Sequence, residues 1–145
     1  MFYFCRVRWG KPEKSVLPDS NTLYTFPLPA TGTVLIFMLN ILKEYDLKQD
    51  ALSYHRIIEA FKFAYAKRSV LGDEPSDKIK EMVRNLTSTD YSDYIRDQIN
   101  DEHTSDDFGY YGANFANQQD HGTAHMSILA PNGDAIAVTG TINYL

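Results

Sequence analysis

Three regimes of hydrophobic spacing follow one another along the chain. Up to residue 31, apolar positions are broken by turn formers: Gly10, Pro12, Pro18, Asp19, Pro27 and Pro29, with Gly32 just beyond. Only two short β-like pieces fit between them, Phe2 to Trp9 and Thr22 to Phe26. From Thr33 the spacing turns helical, with Thr33 as the expected cap of a helix reaching about Tyr45. Its centre, Val34 to Leu42, is the most apolar stretch of the chain. It is too short to span a bilayer and is interrupted by Asn40, so it reads as a buried helix.

The strongest helical period is SYHRIIEAFKFAYAKRS. Ser53 suits the N-cap, and Tyr54, Ile57, Ile58, Phe61, Ala64 and Tyr65 share one face. Lys67 and Arg68 fall in the last turn, where they complement the helix dipole, and Gly72 follows the end. This reads as a core-packing helix rather than a cofactor site. Further helices are expected from Ser76 to Leu86 and from about Asp90 to Ile99. The polar stretch that follows, NDEHTSDDFGYYGANFANQQDHG, is long for a structureless loop, which marks it as functional or processed. Its acidic residues, Asp101, Glu102, Asp106 and Asp107, lack the ligand spacing and turn glycine of an EF-hand, so they read as a solvated loop rather than a cation site.

From Thr123 the period becomes two. Thr123, His125, Ser127 and Leu129 alternate with Ala124, Met126, Ile128 and Ala130. A second run alternates Ile136, Val138, Gly140 and Ile142 with Ala137, Thr139, Thr141 and Asn143. Between the runs lies Pro131-Asn132-Gly133, which suits a three-residue hairpin loop: a type I turn, then glycine at a left-handed position. In that register paired residue numbers sum to 264, and Thr123 faces Thr141, His125 faces Thr139 and Ser127 faces Ala137. A loop of two or four residues would put Thr123 beside Ile142 instead. Facing residues hold their Cβ atoms ~5 Å apart, within reach of hydroxyl hydrogen bonding.

Composition narrows the classes. Apolar residues make up 43% and charged residues 23%, as in globular proteins. The formal net charge of −5 and the lack of a basic stripe argue against a nucleic-acid partner. A lone cysteine, Cys5, excludes a disulfide scaffold within the chain. The first ten residues contain arginines where a signal peptide needs an apolar run. Asn85-Leu86-Thr87 fits the N-glycosylation triplet. No motif asks for a cofactor.

A threonine hydroxyl becomes a usable nucleophile when it is the first residue of a chain, because its own α-amine can then act as base. Here that requires cutting the Gly122–Thr123 bond. A flexible polar loop, a glycine and a threonine opening a strand suit such a cut. The alternative is a strand whose threonines simply favour β geometry. His121 and His125 are four apart, as in a helical zinc pair, but the pattern around them is β and would hold the rings too far apart. Ser127 lacks the setting of a hydrolase nucleophile elbow.

The blocks YHRIIEAFKFAYAKRSVLGD, VRNLTS and above all DHGTAHMSILAPNGDAIAVTGTIN resemble the γ-glutamyltransferase (glutathione hydrolase) family, and PLPATGTVLIFMLNIL does so as well. The likeness runs from about Val7 to Leu145. It implies an α+β chain forming part of an N-terminal-nucleophile hydrolase αββα fold, with helices in 33–100 and a C-terminal hairpin over 123–143. It implies that residues 1–122 are the helical end of a large subunit and that 123–145 begin a small subunit. By motif, Thr123 is the nucleophile, freed by self-cleavage after Gly122, and Thr141 orients it. Asn143 contacts the substrate's glutamyl head group, His125 supports the site, and Asn85 matches a position glycosylated in animal members. The implied substrates are glutathione and other γ-glutamyl compounds, with water, amino acids or peptides as acceptors. The implied location of the parent protein is the extracellular face of the plasma membrane, whereas this chain shows no anchor or signal.

The resemblance also implies what is missing. A family precursor carries an upstream arginine for the substrate carboxylate, and downstream acidic residues, a serine pair and a glycine pair forming the oxyanion hole. Losing oxyanion donors alone typically costs ~10²–10³ in rate. The isolated chain is therefore expected to be inactive as it stands, and the competing reading is an inactive fragment or a non-enzymatic binding module.

Overall fold

The computed structural model describes residues 9–18, 20–71, 76–113 and 122–141. The chain divides into two compact units, Met1–Phe115 and Ala116–Leu145.

The first unit opens with a small antiparallel hairpin, β1 (Glu13–Val16) and β2 (Thr22–Thr25), pairing Glu13 with Thr25 through Val16 with Thr22. The expected strand Thr22 to Phe26 is thus present. The expected strand Phe2 to Trp9 lies outside the described residues except for Trp9, which is in no strand. Strand β1 escaped the sequence reading because four residues carrying two charges hold no hydrophobic alternation. Its loop closes with Ser20 N donating to the Leu17 carbonyl at 3.1 Å and Leu17 N donating to the Asn21 carbonyl at 2.8 Å. Ser20 takes a φ of 63°, a left-handed conformation that costs a side chain energy.

Helix α1 (Gly32–Leu42) follows. It starts at Thr31, whose carbonyl accepts from Val34 N and Leu35 N, so the expected cap at Thr33 is two residues late. Thr33 lies inside the helix, fully buried. Gly32 is required sterically: a Cβ there would lie 2.1 Å from the Phe26 carbonyl oxygen and 2.6 Å from Thr25 Oγ1, where β2 runs against the helix start. The helix ends at Leu42, short of Tyr45. Ile36, Phe37 and Ile41 are fully buried, each contributing about 1.5–3 kcal/mol by leaving water. Asn40 is buried as well and accepts a hydrogen bond from Ser15 of β1.

Helix α2 (Ala51–Arg68) begins at Asp50, not at Ser53. Asp50 Oδ1 accepts from Ser53 N at 2.8 Å, and Ser53 Oγ accepts from Lys48 N at 2.8 Å, so the serine braces the approach to the helix instead of capping it. The buried face shares Ala64 with the expected one and otherwise differs from it. It carries Glu59, Ala60, Phe63 and Ala64, while Tyr54, Ile58, Phe61 and Tyr65 are 43–58% exposed. The two alanines let α1 approach closely, and α1 covers that side. Helices α3 (Asp77–Thr87) and α4 (Thr89–Arg96) match the expected pair, capped by the hydroxyls of Ser76 and Ser88. Leu86 and Ile95 close the core from these two helices.

The second unit is a hairpin, β3 (Ala124–Leu129) and β4 (Ala135–Gly140). Chain and fold therefore mix helices with two small antiparallel sheets. No helix among the described residues is long and apolar enough to cross a membrane.

Candidate functional site

The local chemistry of Pro131-Asn132-Gly133 sets the site's geometry. Gly133 N donates to the Ala130 carbonyl at 2.9 Å, closing the turn, and Gly133 has the expected left-handed φ, 93°. Ala130 N then donates to the Asp134 carbonyl at 2.8 Å. The Asn132 side chain holds the far end of the loop, accepting from Asp134 N and donating to the Asp134 carboxylate. The loop has three residues, and the pairing runs from Leu129 with Ala135 to Ala124 with Gly140, in the register whose numbers sum to 264. Thr123 immediately precedes that ladder and Thr141 immediately follows it, so one further step of the register opposes them.

His125 faces Thr139, as expected. Its Nδ1 lies 2.7 Å from Thr139 Oγ1, and its Nε2 lies 3.0 Å from Ser127 Oγ. In a neutral imidazole one nitrogen donates and the other accepts, and a hydroxyl can take either part. Both ring nitrogens are thus engaged by hydroxyls other than that of Thr123, and His125 ties the two strands two register steps from the threonines. The opposite face of the hairpin is apolar, with Met126, Ile128, Ile136 and Val138 about half exposed. Gly122 has no left-handed φ and would have open space around a Cβ, so the backbone freedom expected of it is not drawn upon here. Asn143 and His121 lie outside the described residues.

Asn85 sits near the end of α3 with its side chain exposed. Its carbonyl accepts from Ser88 N and Ser88 Oγ, while the Thr87 hydroxyl turns back to the Val83 carbonyl at 2.9 Å. The triplet is therefore held in helical geometry.

A second cluster was not read from the sequence. One stripe of α2 is laced to residues 100–111. His55 Nε2 donates to the Asn100 carbonyl at 2.7 Å, and Arg56 grips Asp101 through two hydrogen bonds of 2.8 and 2.5 Å. The Arg56 guanidinium beside it holds the Asp101 carboxyl below its usual range, partly offset by burial, and Asp101 in turn raises Arg56. One helical turn on, Glu59 is 1% exposed. Its carboxylate accepts from Thr104 Oγ1 at 2.5 Å and from the Tyr111 hydroxyl at 2.9 Å. Lys62 reaches the same group, 3.4 Å from Glu59, and also donates to Thr104 Oγ1, the Ser105 carbonyl and the Tyr111 hydroxyl. Burial works against the Lys62 charge, but the Tyr111 hydroxyl and the Glu59 carboxylate outweigh it and hold its pKa above the usual value. Phe63 packs edge-on against Tyr111, with ring centroids 4.9 Å apart.

The acidic residues Asp101, Glu102, Asp106 and Asp107 are exposed, as expected, but the segment that carries them is docked on α2 and Asp101 is paired. No group of three or more His, Cys, Asp or Glu side chains suited to a metal ion comes together among the described residues. Spacing gave one available sign. His55, Arg56, Glu59 and Lys62 form a polar stripe at helical intervals, with Glu59 beside the core alanine Ala60.

The comparisons with known proteins point one way. A family model described as Gamma-glutamyltranspeptidase matches residues 5–145. The chain is 40% identical over 131 residues to Scoloptoxin SSD14 of Scolopendra dehaani, covering 85% of this chain and 22% of that protein. It is 35% identical over 141 residues to Glutathione hydrolase 2 of Arabidopsis thaliana, covering 94% of this chain and 24% of that protein. Among solved structures, Helicobacter pylori gamma-glutamyltranspeptidase aligns with a TM-score of 0.61 at 27% identity, covering 68% of this chain and 29% of that one. The chain thus spans about a quarter of the length of the relatives it matches.

Proposed function

The chain belongs to the gamma-glutamyltranspeptidase family, and on that premise we propose that it carries the subunit-processing site and nucleophile of a γ-glutamyltransferase that acts on glutathione and related γ-glutamyl compounds. Residues 1–122 are the end of the large subunit and 123–145 the start of the small one. In processing, Thr123 Oγ1 attacks the Gly122 carbonyl carbon, and its proton passes to the departing amide nitrogen. Water then hydrolyses the resulting ester. This leaves a carboxylate on Gly122 and restores the hydroxyl of Thr123, now with a free α-amine.

In turnover the α-amine takes the hydroxyl proton as Thr123 attacks the γ-glutamyl amide carbonyl. The proton leaves with the amine product, and a γ-glutamyl ester remains on Thr123. Water, or the amine of an amino acid or peptide, releases the glutamyl group. Thr141 orients the nucleophile, His125 supports the strand pair, and Asn143 contacts the glutamyl head group. The parent protein works at the extracellular face of the plasma membrane, with a glycan on Asn85. The observation that carries this reading is the hairpin register, whose next step sets Thr123 against Thr141.

A second reading, a chain that binds without turnover, is favoured by the exposure of every residue in β3 and β4. Release of the amine from a γ-glutamyl anilide separates the two. Measured on the parent protein, turnover that disappears in Thr123→Ala supports the enzyme, while a folded parent protein that releases nothing leaves binding.

A further inference from the structure

The glycosylation triplet belongs by its chemistry to surface loops, yet Asn85, Leu86 and Thr87 all lie within α3. The spacing of the triplet explains why that matters. An asparagine and a hydroxyl two positions on form one signal only when an enzyme can hold both together. In an extended chain, residues i and i+2 point to the same side. In a helix of 3.6 residues per turn they point roughly 200° apart, to opposite sides. Asn85 is exposed, but the Thr87 hydroxyl turns back along the helix, donating to the Val83 carbonyl at 2.9 Å and reaching the Arg84 carbonyl at 3.2 Å. Between them Leu86 is 1% exposed and packs in the hydrophobic core. Extending the triplet would therefore break the last turn of α3 and pull Leu86 from the core. It would also release Ser88, whose N–H and hydroxyl both donate to the Asn85 carbonyl and whose Oγ caps α4.

We propose that Asn85 accepts its glycan only while α3 is unformed, so that folding of this helix closes the site and sets the fraction of the protein that carries sugar. This rests on the reading of Asn85 as a glycosylated position. In the transfer, Asn85 Nδ2 bonds to the anomeric carbon of the sugar as the bond from that carbon to a lipid-linked diphosphate breaks. The diphosphate leaves with the electron pair, and the amide gives up one proton. A glycan added early remains compatible with the folded helix, because the Asn85 side chain is exposed and the core side of α3 is held by Leu86.

The test uses the full chain, prepared without sugar and folded, with an oligosaccharyltransferase and a lipid-linked oligosaccharide as donor. A peptide of residues 81–90 serves as the open acceptor. Val83→Pro in the full chain opens the site in place, since proline in a helix interior removes a backbone bond and clashes with the preceding turn. If that variant loses the whole fold, its triplet is open all the same. Modification at Asn85 is read by mass, with Thr87→Ala as the blank. The peptide and Val83→Pro should be modified, and the folded wild-type chain at least about tenfold more slowly, because it must wait for local opening. A folded wild-type chain modified as fast as Val83→Pro overturns the proposal and leaves the glycosylation reading standing. Failure of the peptide and Val83→Pro alike to take sugar overturns the glycosylation reading, and the proposal with it.

Discussion

Glu59 and Tyr111 stand 52 residues apart in sequence, yet the Tyr111 hydroxyl donates to the buried Glu59 carboxylate at 2.9 Å. That bond joins the middle of the longest helix to the segment preceding the proposed cleavage site. Tyr111→Phe removes the donor while Thr104 and Lys62 remain on the carboxylate. The phenol also accepts from Ser105 N and Lys62, so the expected cost is about 2–3 kcal/mol, the upper part of the range for a hydrogen bond to a charged, buried partner. Urea denaturation reads it as a lower midpoint at unchanged slope.

Thr33 gives the opposite sign. Its Oγ1 is buried with no hydrogen-bond partner among the described residues. Thr33→Val keeps the branched shape and removes the orphaned hydroxyl. It is expected to be neutral or to stabilise by up to about 1 kcal/mol, seen as an unchanged or higher thermal midpoint.

The two hairpin loops contrast a strained residue with an unstrained one at the same step. Ser20 and Gly133 both follow a Pro-Asx pair in sequence and both take a positive φ, 63° and 93°. Ser20→Gly should stabilise the chain by roughly 0.5–1 kcal/mol, and Gly133→Ala should destabilise it by a similar or larger amount. Paired thermal melts of the two variants check the signs.

Acid should loosen the docked segment. The folded-state pKa of Asp101 lies below its unfolded value, chiefly through the Arg56 hydrogen bond. Its contribution is therefore present above about pH 4 and fades as pH falls through the lowered value. The same direction holds for Asp50 at the α2 cap, through its bond from Ser53 N. Asp101→Asn should remove part of the acid-induced loss, measured as a flatter dependence of the urea midpoint on pH between 5 and 2.

These cases also divide what the sequence could tell from what it could not. The Pro131-Asn132-Gly133 turn was legible because turn chemistry is local: three adjacent residues determine loop length, and loop length determines register. Helices α3 and α4 were legible as helices, but their caps, Ser76 and Ser88, became plain only in the structure. The buried face of α2 was not. Tyr54, Ile58, Phe61 and Tyr65 do share a face, but the side turned to α1 is the one with small Ala60 and Ala64, and only the packed partner reveals that. Ser53 and Asp50 both suit a cap, and the choice fell to Asp50 because the serine hydroxyl is taken by Lys48 N. The Glu59 cluster was hidden because its partners lie 45 and 52 residues away, beyond any local pattern. For Thr123 and Thr141 the motif supplied the residues and the turn supplied the register.

The central claim is that the Gly122–Thr123 bond is a processing site. Its most direct test is the intact mass of the purified chain over time, with N-terminal sequencing of any smaller product and Thr123→Ala beside it. The account predicts that the 16.5 kDa species gives way to two pieces whose masses sum to the chain plus one water, that the smaller begins at Thr123, and that Thr123→Ala stays whole. A folded wild-type chain that keeps its full mass, or a cut that persists in Thr123→Ala, would contradict it.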